Sequence, residues 1–190
     1  MTKPRGKRPA PPGIPAPAAT EAEVAAMIRV DHAGELGAVR IYEGQLAVLK
    51  ARPGARDSVT AVTKMLRQEE HHLKTFEKLV VERRVRPTLL EPVWQVAGFA
   101  LGAATALLGE KAAMACTAAV EEVIDGHYEG QLARLDDEAL KATVAEFQAD
   151  EVAHRDEALA RGAEQAPAYP LLSGAIKAGC RLAIALSTRL

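Results

Sequence analysis

Apolar positions return every three to four residues along most of this chain, and no stretch alternates polar with apolar as a half-buried strand does. That periodicity predicts an all-α protein. Thr20-Glu21-Ala22-Glu23 has the form of a capping box, and the helical pattern it opens runs to about Lys50, where Pro53-Gly54 stops it. Asp57-Ser58 is placed to cap a second helix, with Val62, Met65, Leu66, Leu73, Phe76 and Leu79 at helical spacing until Pro87. Pro92 to Gly109 carries no charge. Residues 110–135 and 138–163 read as two more long amphipathic helices, and a last apolar segment, Leu171 to Leu190, follows Pro167 and Pro170.

Within this pattern the chain repeats itself. Tyr-Glu-Gly-Gln-Leu-Ala occurs at 42–47 and again at 128–133, an offset of 86, and the same offset carries Glu35 onto Glu121. A whole helix face is therefore duplicated. The second predicted helix holds Glu69-Glu70-His71-His72 and the later one holds Glu151-Val152-Ala153-His154. These two Glu-x-x-His motifs are offset by 82, which a change in loop length explains. Two helical hairpins thus present the same order: a Glu, a Tyr seven residues on, a loop, then Glu-x-x-His.

Residues three apart on a helix lie about 60° from one another, so a Glu and a His at that spacing can grip one ion from one face. Packed around a pseudo-twofold axis, the two hairpins deliver four carboxylates and two imidazoles to one centre. That is the ligand set of the ferritin-like di-iron carboxylate proteins, and with no thiolate in it, iron or manganese suits it better than a soft metal. A single Glu-x-x-His on a charged helix is ordinarily a solvated face. Two at matched offsets are not, and Glu35 and Glu121 stand in apolar text where an ionised carboxylate is costly unless paired or metal-bound. The repeat also selects Glu121 over its neighbour, since Glu122 aligns with Leu36. Glu70 and His71 point away from the face that the motif defines.

Composition adds limits. A chain of 190 residues suits one domain, expected over 20–190. Residues 1–19 hold six of the eleven prolines and four basic residues, the composition of a disordered arm. With 24 Lys+Arg against 25 Asp+Glu there is no whole-protein case for nucleic acid. Cys116 and Cys180 lie in apolar helical text and read as free buried thiols in a reducing, intracellular setting.

The stretches RVDHAGELGAVRIYEGQ, QEEHHLK, RPTLLEPVWQVAGFALGAATALLGEKAAMACTAAVEEVIDGHYEGQ and APAYPLLSGAIKAGCRLAIALSTRL resemble the demethoxyubiquinone hydroxylase family of ubiquinone biosynthesis. The resemblance covers roughly residue 28 to the last residue. It implies a membrane-associated di-iron monooxygenase that hydroxylates the ring of a polyprenylated methoxy-methyl-benzoquinol. Two iron ions, O2 as co-substrate and NADH or another electron donor are implied with it. The family's terminal carboxylates correspond to Glu35 and Glu121, and its two Glu-x-x-His pairs to Glu69 with His72 and Glu151 with His154, the two glutamates bridging the irons.

His127 and Tyr128, just beyond Glu121, are candidates for positioning the ring or relaying a proton. Tyr42 repeats Tyr128, so a shared packing role is the alternative for the tyrosine, whereas Ile41 stands where His127 would be copied. A long isoprenoid tail keeps its owner in a bilayer. The expected fold is therefore a ferritin-like four-helix bundle with a di-iron centre, plus two apolar interfacial helices, 92–109 and 171–190, with a buried core helix as the alternative for the first. Lys177, Arg181 and Arg189 argue against a span for the second. The expected place is the cytoplasmic side of the cell membrane, peripherally bound, with the quinol, the membrane surface, other ubiquinone-biosynthesis proteins and further copies of the chain as partners. Iron oxidation of the ferritin kind, or peroxide reduction of the rubrerythrin kind, is the competing reading of the same ligands.

Overall fold

A computed structural model describes residues 17–190, and every regular element among them is helical. Six α-helices follow in order: α1 (Glu21–Leu49), α2 (Arg56–Glu82), α3 (Glu91–Leu107), α4 (Glu110–Leu132), α5 (Glu138–Ala160) and α6 (Tyr169–Ser187). A short 3-10 turn, Ala163–Gln165, precedes α6.

The capping box at the start of α1 forms as the sequence predicts. The Thr20 hydroxyl accepts from the Glu23 N–H at 3.3 Å, and the Glu23 carboxylate accepts from the Thr20 N–H at 2.9 Å. Most of the expected Pro-rich arm, residues 1–16, lies outside the described residues. Its last three residues are held, not loose: the Ala19 N–H donates to the Arg134 carbonyl at 2.9 Å, and Arg134 Nε donates to the Pro17 carbonyl at 3.3 Å.

Three helix ends differ from expectation. Asp57-Ser58 does not cap α2, which begins at Arg56 with Ala55 as an N-cap that makes no side-chain bond. Ser58 instead gives its hydroxyl to Glu110 at the start of α4, at 2.5 Å. The same helix stops at Glu82, short of Pro87, because Arg84 turns to φ 52° and the Val85 N–H bonds back to the Val80 carbonyl at 2.9 Å. α6 starts ahead of Leu171, taking Pro170 into its first turn, where the missing N–H has no helical partner to lose.

α1 packs along α2, and α4 along α5, so the two predicted hairpins exist. They face each other through α1 and α4. Two apolar clusters fill the ends of this four-helix arrangement. One gathers Leu46, Leu49, Val62, Met65 and Met114; the other gathers Ile28, Phe76, Leu135, Val144 and Phe147. The residues between them in sequence, on all four helices, include both Glu-x-x-His motifs.

α3 lies against α1, and α6 against α4. The α1–α3 approach depends on missing side chains. A Cβ on Gly44 would collide with the Phe99 carbonyl, one on Gly102 with the Ile41 carbonyl, and one on Gly98 would stand 2.8 Å from the Gly37 carbonyl oxygen. The outer side of α3 stays open, with Val96 71% and Leu107 70% exposed. Among the described residues no helix is long and apolar enough to cross a membrane.

Candidate metal centre

Between the two apolar clusters, four helices turn six polar side chains inward. Glu35 comes from α1, Glu69 and His72 from α2, Glu121 from α4, and Glu151 and His154 from α5; all six are buried. They fall into two groups, Glu35, Glu69, His72 and Glu151 in one and Glu69, Glu121, Glu151 and His154 in the other. Within each group, one ligand atom per residue lies within 4.8 Å of the others.

Glu69 and Glu151 belong to both groups, each turning one oxygen to each histidine. Nδ1 of His72 is 3.8 Å from Oε2 of Glu69 and 3.3 Å from Oε1 of Glu151. Nδ1 of His154 is 3.0 Å from Oε1 of Glu69 and 3.5 Å from Oε2 of Glu151. Glu35 and Glu121 sit at opposite outer corners.

Four of the six side chains are held by bonds that cross from one hairpin to the other. Tyr42 donates to Oε1 of Glu121 at 2.5 Å, and Tyr128 donates to Oε1 of Glu35. Nε2 of His72 meets Asp150 at 3.2 Å, and Nε2 of His154 meets Gln68 at 3.2 Å. Gln68 Nε2 also donates to Asp150 at 2.9 Å. Asp150 and Gln68 thus fix the ring orientation and leave Nδ1 of each histidine facing the carboxylates. Sequence reading overlooked this pair, although each residue stands immediately before its Glu-x-x-His glutamate and the offset of 82 superposes them.

Electrostatics give the cluster a strong demand for positive charge. Burial, with the charge of Glu151 added, raises Glu69 and Glu121 well above the ordinary carboxylate range. Burial also acts upward on Glu151, but the adjacent imidazoles of His154 and His72 outweigh it and hold that carboxyl at about 2. For His72 burial acts downward and loses to Glu151 and Glu35, which carry the imidazole to about 10. Burial raises both tyrosines, so their hydroxyls keep the hydrogens that they donate.

Buried polar atoms in native proteins are nearly all partnered. Here Oε2 of Glu35, both oxygens of Glu69 and Glu151, Oε2 of Glu121, and Nδ1 of His72 and His154 have no hydrogen-bond partner. These eight, out of twelve such atoms among the described residues, belong to the six ligand side chains, so the donor set fits a pair of hard or borderline cations.

The other residues singled out in the sequence fall elsewhere. Glu70 and His71 are exposed, and Glu122 faces outward to Lys177 at 2.6 Å. His127 stands at the margin of the layer, 3.2 Å from Oδ1 of buried Asp31 and 2.8 Å from Gln131 Nε2. Gln131 donates to Asp31 at 2.7 Å. The repeat-equivalent of this trio is Gln45, Thr117 and Ile41, where Gln45 donates to Thr117 at 3.3 Å and no titratable group is present. The Asp31–His127 pair has no titratable counterpart in the other half of the layer, and Asp31 is a residue that sequence reading did not single out.

An apolar cavity of about 510 Å³ runs beside the layer. α1 and α4 form its floor, α3 and α6 its walls. Gly34 and Val120 in the floor are the chain neighbours of Glu35 and Glu121, which puts the cavity one helix face away from the carboxylates. Neither His127 nor Tyr128 lines it.

Comparison with known proteins agrees with this arrangement. The family model described as ubiquinone biosynthesis protein COQ7 matches residues 22–187. A 3-demethoxyubiquinol 3-hydroxylase of Rhodospirillum rubrum is 61% identical over 180 residues, covering 94% of this chain and 82% of the relative. The NADPH-dependent 3-demethoxyubiquinone 3-hydroxylase, mitochondrial, of Homo sapiens is 52% identical over 178 residues, covering 90% and 80%. The 5-demethoxyubiquinone hydroxylase, mitochondrial, of Saccharomyces cerevisiae is 43% identical over 176 residues, covering 83% and 74%. Because the match runs from the first turn of α1 to the last turn of α6 and so takes in every helix that builds the centre and its cavity, the chain belongs to the family of the ubiquinone biosynthesis protein COQ7.

Proposed function

We propose that this chain hydroxylates the ring of a polyprenylated demethoxyubiquinol, with a di-iron centre inside a ferritin-like bundle docked on a membrane surface. It is a hydroxylase of ubiquinone biosynthesis, as its relatives' names state of them. The observation that carries the finer reading is the set of buried, unpartnered ligand atoms beside an apolar cavity.

Glu35, Glu69, His72 and Glu151 would hold one iron, and Glu69, Glu121, Glu151 and His154 the other. Bound there, the two irons would supply the electrons that reduce O2. The chain's own residues do the rest. Asp150 and Gln68 fix the imidazoles, the two tyrosines fix the outer carboxylates, and the apolar clusters above and below exclude water. His127, partly open to solvent and bonded to buried Asp31, is placed to bring protons to this side of the layer. NADH or another reductant is the electron source in this reading.

The cavity would hold the quinol ring, since it is concave, apolar and of ligand size. Its walls suit the interfacial role expected of α3 and α6. Val93, Val96 and Leu107 on α3, and Leu171 and Leu182 on α6, are all at least half exposed, which favours burial in acyl chains over water. In this reading the chain binds peripherally on the cytoplasmic side of the cell membrane. Iron storage or peroxide reduction finds no support in the relatives, which are named hydroxylases.

Iron content and hydroxylation of a long-tailed quinol test the reading together, with Phe99→Asp combined with Leu107→Asp as the membrane arm. Iron near two per chain and release of that variant from vesicles are expected, with turnover of a short-tailed quinol retained. An iron-free active enzyme would refute the metal assignment; a variant still bound to vesicles would refute the docking.

A further inference from the structure

We infer that Trp94 and Ser187 orient the substrate ring in the cavity, exchanging their mutual hydrogen bond for bonds to the ring oxygens. This rests on the reading of the cavity as the quinol site. Polarity along the lining carries it. Apart from the thiol of Cys180, a weak donor, the only lining side chains among the described residues that hydrogen-bond are Trp94 and Ser187.

They meet where α3 begins and α6 ends, with Trp94 Nε1 donating to Ser187 Oγ at 2.9 Å. That is the one side-chain hydrogen bond joining the two walls among the described residues. Ser187 is 2% exposed, and it accepts this bond while its own hydrogen goes to no acceptor among the described residues. A buried hydroxyl with an unspent donor is uncommon, and here it belongs to a cavity wall.

The far end of the cavity, marked by Leu101 and Leu172, offers no polar side chain. A benzoquinol carries all its oxygens on the ring and none on the tail. Burying those oxygens without partners is unfavourable, so the ring belongs at the Trp94–Ser187 end and the tail at the Leu101–Leu172 end. Ser187 O–H and Trp94 N–H each donate to a ring oxygen once their mutual bond opens. The placement suits the chemistry: Val30 in the floor at this end is five residues from Glu35, a rise of about 7.5 Å along α1. A ring in this stretch lies alongside the turn that carries Glu35.

Trp94 is the only tryptophan in the chain, so its emission reports on this end of the cavity alone. Iron-loaded protein is titrated with a tail-free methoxy-methyl-benzoquinone, and quenching gives the half-saturating concentration. Tetramethylbenzene, which has the ring but no oxygen, is measured as a competitor. Ser187→Ala should raise the half-saturating quinone concentration about tenfold, leave tetramethylbenzene unchanged, and be rescued by Ser187→Thr. For Trp94→Phe, which keeps an aromatic ring and loses the N–H, KM for the quinol should rise about tenfold. Equal quenching in wild type and Ser187→Ala overturns the orienting role, and so does an equal rise for both compounds, which would mean only that the wall had moved. Absence of quenching in the wild type overturns the quinol reading of the cavity itself, and the orienting role with it.

Discussion

Tyr42 on α1 gives its hydroxyl hydrogen to Glu121 on α4 at 2.5 Å, and in return Tyr128 on α4 bonds Glu35 on α1. The repeated hexapeptide is therefore a crossed clamp: each copy steadies the outer carboxylate of the other hairpin. This is why the tyrosine and the glutamate are duplicated together.

The clamp predicts matched effects. Tyr42→Phe and Tyr128→Phe each leave a buried carboxylate oxygen without its donor, and each should weaken iron binding by about 10- to 100-fold, as loss of an orienting partner does at other metal sites. Iron affinity of the two variants, measured by chelator competition, should agree within a few-fold. A normal affinity in both would show the hydroxyls to be packing only.

Loss of a shared ligand should be more severe. Glu151 faces both histidines, at 3.3 and 3.5 Å, so Glu151→Ala removes a ligand from both groups and should abolish both iron loading and hydroxylation. His154→Ala touches one group and should leave about one iron per chain with no turnover. Iron analysis alongside product assay distinguishes these outcomes, and full activity in either variant would sink the assignment.

The Asp31–His127 pair is a polar asymmetry of the layer, since its repeat-equivalents are Thr117 and Ile41. Burial raises Asp31, so its carboxyl is suited to hold a proton, and His127 connects it to solvent. His127→Ala and Asp31→Asn should each lower kcat about tenfold or more while iron content stays near normal. Loss of iron in step with turnover would make the pair structural.

The α1–α3 contact predicts a stability effect far from the iron. Gly102→Ala would press a methyl group into the Ile41 carbonyl and should cost about 1–3 kcal/mol in unfolding free energy, whereas Gly126→Ala, with open space around it, should be neutral or stabilising. Urea unfolding of the iron-loaded protein measures both. Equal stability would mean that α3 shifts freely.

Metal-free protein should lose stability as pH rises. Glu69 and Glu121 are raised, so between the ordinary carboxylate value and their own the folded chain holds more protons than the unfolded one. His72, carried to about 10, acts in the same direction at higher pH, since its contribution is complete below about 6.5 and disappears as pH passes 10. With the sign of linkage, both terms make stability fall with rising pH from about 5 to 10. Thermal unfolding of chelated protein across that range checks this, and bound iron should flatten the slope.

The six inward side chains, their pairing by offsets of 86 and 82, and the all-helical pattern were legible in the sequence because each depends on spacing along one helix. The period of 3.6 sets which residues share a face, whatever the helix packs against. The capping box at Thr20 is local for the same reason.

Only the tertiary structure decided the rest. That Asp150 and Gln68 serve the histidines of opposite hairpins, that Tyr42 and Glu121 meet, and that Asp31 partners His127 depend on contacts between helices up to 96 residues apart. The cap expected at Asp57-Ser58 failed because Ser58 found a stronger partner in Glu110, a carboxylate brought in by α4. Trp94 and Ser187 carry no motif at all; they became a pair because glycines draw α3 onto α1 while α6 follows α4, leaving the two walls to meet at one end. Hydrogen bonds between distant helices are fixed by packing geometry, which one-dimensional spacing does not contain.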